Sequence, residues 1–113
     1  MGTTKSSRAG RDAARHAGLS QIIVSHAFAV ALSDVRAPRR GHSAAARARQ
    51  VAMYLSHVVF AMTAEGVAVA FGRSLSATYH AFRRIEKLRD DPRMNRTLAR
   101  LEEMVRGAAE IVR

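Results

Sequence analysis

The stretch TAEGVAVAFGRSLSATYHAFRRIEKL, residues 63–88, carries the signals of two helices joined by a tight turn. Thr63 can cap the start of a short helix, and Glu65 lies near the positive end of that helix dipole. Gly72 fits the left-handed position at which helices commonly end, and Ser74 can cap the helix that follows. A short helix, a tight turn and a second helix together predict a helix-turn-helix motif.

The second helix of this motif is predicted to have an apolar and a polar face. A helical wheel separates an apolar set (Thr78, Ala81, Phe82, Ile85 and Leu88) from an opposite polar set (Ser76, His80, Arg83 and Lys87), with Ala77 and Arg84 at the flanks. Small and hydroxyl residues at a helix start allow close approach to base edges, and cations further along can contact phosphates. Such a face is often merely solvated, but its position after the turn favours a helix that enters the major groove of DNA.

A basic loop is predicted before the motif. Residues 36–49, RAPRRGHSAAARAR, contain five arginines and no acid, and they lead into a further helix. Arg39, Arg40 and Arg47 of this segment can hold phosphates or reach a minor groove.

The remaining sequence predicts helices and no strand. Residues 19–32 are mostly apolar, Ser20 can cap them, and residues 33–35 end that first helix. The helix after the basic loop has its core stripe at Val51, Tyr54, Leu55, Val58 and Met62. Pro92 and the two aspartates before it mark the start of a last helix. We therefore expect an all-α fold of about five helices.

A single domain is expected at a length of 113 residues. Residues 1–17 are small, polar and basic, and this composition buries too little apolar surface to offset the entropy lost on ordering. We therefore predict a flexible basic tail over residues 1–17 and one domain over residues 18–113.

The composition favours a polyanionic partner and no catalysis. There are 19 Lys and Arg against 9 Asp and Glu, a formal net charge of +10, which indicates nucleic acid first and anionic membrane second. No apolar run approaches the roughly 18 residues of a membrane span, so we expect no membrane partner. The chain has no Cys, its five His lack ligand spacing, and no nucleophile motif occurs. We expect no metal, no other cofactor and no enzymatic activity.

Three segments resemble a known family. ARARQVAMYLSH (residues 46–57), TAEGVAVAFGRS (residues 63–74) and HAFRRIEKLRDDP (residues 80–92) resemble the C-terminal DNA-binding domain, domain IV, of DnaA, the bacterial chromosome replication initiator. With the first helix included, the resemblance covers roughly residues 18–106. In that family, the helix after the turn opens with an Asp-His-Thr-Thr signature that reads the major groove, and an arginine of the basic loop enters the minor groove.

The resemblance implies a set of DNA contacts. Carried across residue by residue, it assigns contacts to Arg49, Gln50, Arg73, His80 and Arg83, and it makes Arg40 the candidate for the minor-groove arginine. With the basic loop and the helix face included, the predicted DNA-binding residues are Arg39, Arg40, Arg47, Arg49, Gln50, Arg73, Ser74, Ser76, Ala77, His80, Arg83, Arg84 and Lys87.

The chain departs from the family at the signature, whose four positions hold Ser74, Leu75, Ser76 and Ala77. Ser74 keeps the cap, Ser76 keeps a hydroxyl, and Ala77 keeps a methyl that can touch a thymine methyl. Leu75 has no hydrogen-bonding ring, so the target sequence of the family is not assumed here. No GxxxxGK[ST] phosphate loop occurs, and we therefore expect a free-standing relative of one domain that does not hydrolyse ATP.

Two functions stay open on the sequence. The first is double-stranded DNA binding in the bacterial cytoplasm, at the nucleoid, with a role in replication initiation control or transcription. The second is a protein-interaction module that binds DnaA, or an AAA+ regulator of it, with weakened base recognition, which Leu75 favours. We expect a monomer, with a dimer as the alternative.

Overall fold

The computed structural model describes residues 3–37 and 43–112, with side chains described from residue 10 onward. Six helices occur in these ranges: α1 (Thr3–Phe28), α2 (Leu32–Arg36), α3 (Ser43–Phe60), α4 (Ala64–Phe71), α5 (Leu75–Leu88) and α6 (Pro92–Val112). The same ranges contain no strand, which confirms the predicted all-α fold. None of these helices combines the length and the apolar character needed to cross a membrane.

Helix α2 is the element that the sequence did not predict. Residues 33–35 are predicted only to end the first helix, but they lie in a short helix of five residues. Val35 in this turn is fully buried in the core. Helix α2 is therefore stabilised by the packing of Val35 in the core, and a pattern of capping residues does not reveal such packing.

Helix α1 differs from the predicted flexible tail over residues 1–17. The backbone is one helix over Thr3–Phe28, without a boundary at residue 17. Ala17 is buried, and the ring of His16 stacks on Phe60 of α3 with the ring centroids 4.0 Å apart. A small side chain and a ring contact therefore attach this segment to the core, although its hydropathy is low.

Helix α3 is the centre of the core, because it packs against each of the other five helices described. Its buried residues are Ala45, Ala48, Arg49, Val51, Ala52, Met53, Tyr54, Leu55 and Ser56. Three predicted core positions, Val51, Tyr54 and Leu55, are in this set, and Met62 is buried just beyond the helix. Val58 is 38% exposed, so it was wrongly predicted as core. Ser20 lies buried inside α1 and is not the predicted N-cap.

The turn between α4 and α5 has the predicted caps. The Thr63 side chain accepts a hydrogen bond from the Gly66 N–H at 3.0 Å, which closes the start of α4. Gly72 ends α4 with φ 63° and ψ 37°, a left-handed conformation that favours glycine. The Ser74 hydroxyl accepts from the Ala77 N–H at 3.0 Å and caps α5. Local hydrogen bonds thus fix the angle at which α5 leaves the turn.

A polar network fixes the C-terminal part of α5. The Tyr54 hydroxyl on α3 donates to the Glu86 carboxylate at 2.6 Å, and Arg89 donates to the same hydroxyl at 3.2 Å. Arg89 also forms an ion pair with Glu102 of α6, at 2.8 Å. This network connects α3, α5 and α6.

A ring stack fixes the middle of α5. The ring of Phe82 stacks on His57 of α3, with the centroids 4.3 Å apart. The Nδ1 atom of His57 lies 2.7 Å from the Met62 carbonyl oxygen, at the link between α3 and α4. One imidazole therefore contacts α5 and the link that leads to α4, which holds the two helices of the motif together.

Candidate nucleic-acid interface

Helix α5 presents its polar face to solvent. Ser76, His80, Arg83 and Lys87 are all exposed, as the helical wheel predicts. The opposite face is covered, since Thr78, Ala81, Phe82 and Ile85 are buried. The basic side chains are therefore directed away from the core by the packing of the apolar face.

Helix α3 adds a cation beside this face. Arg47 of α3 lines an open groove together with Arg84 and Lys87 of α5. Asp90 and Asp91 border the same groove and place two carboxylates at one end of the basic surface. Three predicted DNA-binding cations from two helices thus lie at one groove, which suits contact with a phosphate backbone.

A second group of predicted residues meets at a small cavity of about 70 Å³ beside the start of α5. Gln50 of α3, Arg73 of the turn, and Ala77 and His80 of α5 line it. The fold therefore brings these four residues together, although they come from segments up to 30 positions apart in the sequence.

Arg49, which the resemblance predicts as a DNA-contacting residue, also lines this cavity but is buried. Its side chain is only 4% exposed. Its Nε donates to the Val35 carbonyl oxygen at 3.1 Å, and its Nη2 donates to the Asp34 carbonyl oxygen at 2.8 Å. Burial lowers the pKa of Arg49, the nearby charge of Arg73 lowers it further, and Asp34 acts in the opposite direction.

The position of Arg49 gives it a structural role instead. The two carbonyl groups belong to the end of α2, immediately before the basic loop. Arg49 thereby fixes the point from which the loop departs. The signal was present in the sequence, because Ala45, Ala48 and Ala52 occur at the helical spacing that places Arg49 on the buried face.

Ser74 is exposed at the start of α5, and its hydroxyl serves as the cap described above. Arg39 and Arg40, the predicted loop contacts, lie outside the described residues. Two large apolar side chains of α5 are also exposed, Leu75 at 41% and Tyr79 at 43%. The ring of Tyr79 packs edge-on against the buried Phe82, with the centroids 6.3 Å apart, and Leu75 is the first residue of α5.

Comparisons with known proteins match this architecture. A family model described as the bacterial DnaA protein helix-turn-helix matches residues 21–85, which extend from α1 into α5 and include α4, the turn and most of α5. A crystal structure of a DNA replication initiation factor has the same fold, with a TM-score of 0.77 at 24% sequence identity. The alignment covers 95% of this chain and 32% of that chain, so this chain spans about a third of that protein. The comparison with curated proteins gave no match.

Proposed function

Because this chain belongs to the family of bacterial DnaA helix-turn-helix domains, we propose that it binds double-stranded DNA through helix α5 and the neighbouring surface of α3. The observation that carries the proposal is the convergence of Arg47, Arg84 and Lys87 on one groove beside the exposed face of α5. Cations placed in this way can hold the phosphate backbone on one side of a recognition helix that lies in the major groove.

The binding should depend strongly on salt. Each phosphate that a protein neutralises releases condensed counterions, so the logarithm of the binding constant falls by about 0.9 per logarithmic unit of salt. The interface contains several cations from two helices, so we expect a slope of several units.

Fluorescence anisotropy tests the proposal directly. A DnaA-box duplex and a scrambled duplex are titrated over a salt series with the wild type and with Arg83→Ala. We expect Arg83→Ala to weaken binding to both duplexes and to reduce the salt slope by about one unit. Arg106→Ala is the matched control, because Arg106 is also exposed but lies on α6, away from the basic face of α5.

The titration also separates specific from non-specific binding. Equal affinity for the two duplexes would exclude recognition of the DnaA box and leave binding to the phosphate backbone. A complex that is insensitive to salt, or the absence of binding at low salt, would contradict the proposed mechanism.

In the cell, we propose that the protein acts at the nucleoid in the cytoplasm and controls replication initiation or transcription, as a monomer and without catalysis. The family match supports the link to initiation. If the protein controls initiation, expression of the wild type should change the ratio of origin DNA to terminus DNA. If it controls a promoter, expression should change transcript levels and leave that ratio constant. Arg83→Ala should lose either effect.

A protein-interaction module for DnaA, or for an AAA+ regulator of it, is the second candidate. The observation that favours it is Val69 of α4, which is 84% exposed at an apolar groove lined by Gly10, Ala13 and Ala14 of α1. Calorimetry with purified DnaA would distinguish the two candidates. Binding that Val69→Asp abolishes and Arg83→Ala preserves would support the module.

A further inference from the structure

We propose that the first turn of α5 recognises the 5-methyl group of thymine in the major groove, and that Leu75 makes this contact. The inference rests on the proposed function, because it assigns a base chemistry to the same helix. It differs from the hydrogen-bonding signature of the family, which this chain lacks at Leu75.

The first turn offers few hydrogen-bonding groups to a base. The Ser74 hydroxyl already accepts from the Ala77 N–H at 3.0 Å, which leaves only its own proton for an outside partner. The Thr78 hydroxyl donates to the Ser74 carbonyl oxygen at 2.9 Å, and Thr78 is fully buried. Ser76 is exposed, so its hydroxyl is the main polar group that this turn can offer.

The same turn exposes an aliphatic side chain. Leu75 is the first residue of α5 and is 41% exposed, unlike the leucines of the core such as Leu55 and Leu98. Residues at the N-terminal end of a recognition helix are those that contact base edges. Beside it, Ala77 is half-buried at the cavity that His80 also lines. The first turn therefore offers aliphatic surface at Leu75 and Ala77 beside the hydroxyl of Ser76.

Thymine is the base that this surface fits. In the major groove, the other bases present hydrogen-bond donors or acceptors, and thymine adds a 5-methyl group. Contact between this methyl and Leu75 removes apolar surface of both partners from water, which changes affinity roughly fourfold for a group of this size. A base that presents only hydrogen-bonding groups to Leu75 would leave at least one of these groups without a partner. This cost increases the preference for thymine over the other bases.

Uracil substitution tests the contact, because uracil lacks the methyl and keeps the hydrogen-bonding groups of thymine. A duplex is first selected from a random-sequence library with the wild-type protein. Each thymine is then replaced by uracil in turn, and affinity is measured by fluorescence anisotropy at constant salt. We expect a roughly fourfold loss at one position or two with the wild type. With Leu75→Ala, the thymine and uracil duplexes should bind equally at those positions.

Val69→Ala is the matched control. It also removes an exposed aliphatic side chain, but from α4, and it should keep the discrimination of the wild type. Far-UV circular dichroism of each variant verifies that the helices are formed, which is expected because alanine favours helix and Leu75 is not buried.

Three outcomes would overturn the inference. Equal binding of thymine and uracil duplexes by the wild type would exclude methyl recognition while leaving DNA binding intact. If Leu75→Ala still binds the thymine duplex more tightly than the uracil duplex, another residue makes the contact with the methyl group. An unchanged affinity of Leu75→Ala for every duplex would show that Leu75 makes no contact that contributes to DNA binding. Absence of binding to any duplex at low salt is a different result, because it refutes the proposed function itself.

Discussion

The Tyr54 hydroxyl of α3 donates a 2.6 Å hydrogen bond to the Glu86 carboxylate of α5. The bond connects the centre of the core to the helix that carries the basic face. Tyr54 is buried, and the basic side chains of α5 are exposed to solvent. The orientation of the basic face is thus determined from inside the protein.

Tyr54→Phe should lower the free energy of unfolding by about 1–2 kcal/mol, since it removes a hydrogen bond to a charged acceptor. Urea denaturation measures the change. Tyr79→Phe is the matched control, because Tyr79 is 43% exposed and its hydroxyl forms no hydrogen bond within the described residues. Equal effects of the two substitutions would contradict a special role for the bond.

The same tyrosine predicts a dependence of stability on alkaline pH. Burial raises the pKa of Tyr54, and the hydrogen bond to Glu86 raises it further. The folded protein then keeps a proton that the unfolded chain loses near its ordinary pKa of about 10. The stabilisation is present below that value and is lost as the pH rises through the folded pKa.

Denaturation at a series of alkaline pH values provides the measurement. The stability of the wild type should fall more steeply above about pH 10 than that of Tyr54→Phe, which cannot ionise at this position. If stability falls with pH in parallel for the two proteins, Tyr54 has the same pKa in the folded and the unfolded state.

Arg49→Met should weaken DNA binding without changing its salt slope. The substitution removes the donors to Val35 and Asp34, so the end of α2 loses its anchor, and we expect a loss of stability of about 1–3 kcal/mol. Arg47→Met is the comparison, since Arg47 lies at the basic groove and should lower the slope by about one unit with little change in stability. An equal fall in slope for Arg49→Met would mean that Arg49 contacts a phosphate after all.

Gly72→Ala should destabilise the protein by about 1–2 kcal/mol, because its φ of 63° strains any residue with a Cβ atom. Gly107→Ala is the opposite case. A Cβ added there lies in helix α6 with no atom within 4 Å, so this substitution should stabilise the protein by about 0.5–1 kcal/mol. Thermal unfolding of the two variants should therefore shift in opposite directions, and a shift in the same direction would contradict the assigned turn geometry.

The caps of the motif could be predicted from the sequence because they depend on neighbours in the chain. Thr63, Gly72 and Ser74 each act within three or four positions of their partners. The exposed face of α5 could be predicted for a similar reason, since helical spacing alone separates it from the buried face.

The sequence could not predict features that depend on distant partners. The helical state of the segment before Gly18 depends partly on the contact of His16 with Phe60, 44 positions away. Helical spacing places Arg49 on the buried face of α3, but the carbonyl groups that accept its hydrogen bonds belong to α2, a helix that the capping pattern did not reveal. An arginine in a basic segment also resembles a DNA contact until the partners of its guanidinium group are known.

Glu86 is the one acidic residue of α5, and its carboxylate accepts a hydrogen bond from Tyr54 on a flank of the helix. This bond holds the carboxylate of the exposed Glu86 toward α3, so the basic side chains of α5 dominate the field on its outward face. Such a field attracts a polyanion beyond contact distance and accelerates the first encounter, and loosely held complexes can then slide along the duplex. Under the proposed function, we therefore expect the bond that orients α5 to affect the rate at which the protein finds a site on DNA as well as the geometry of the final complex.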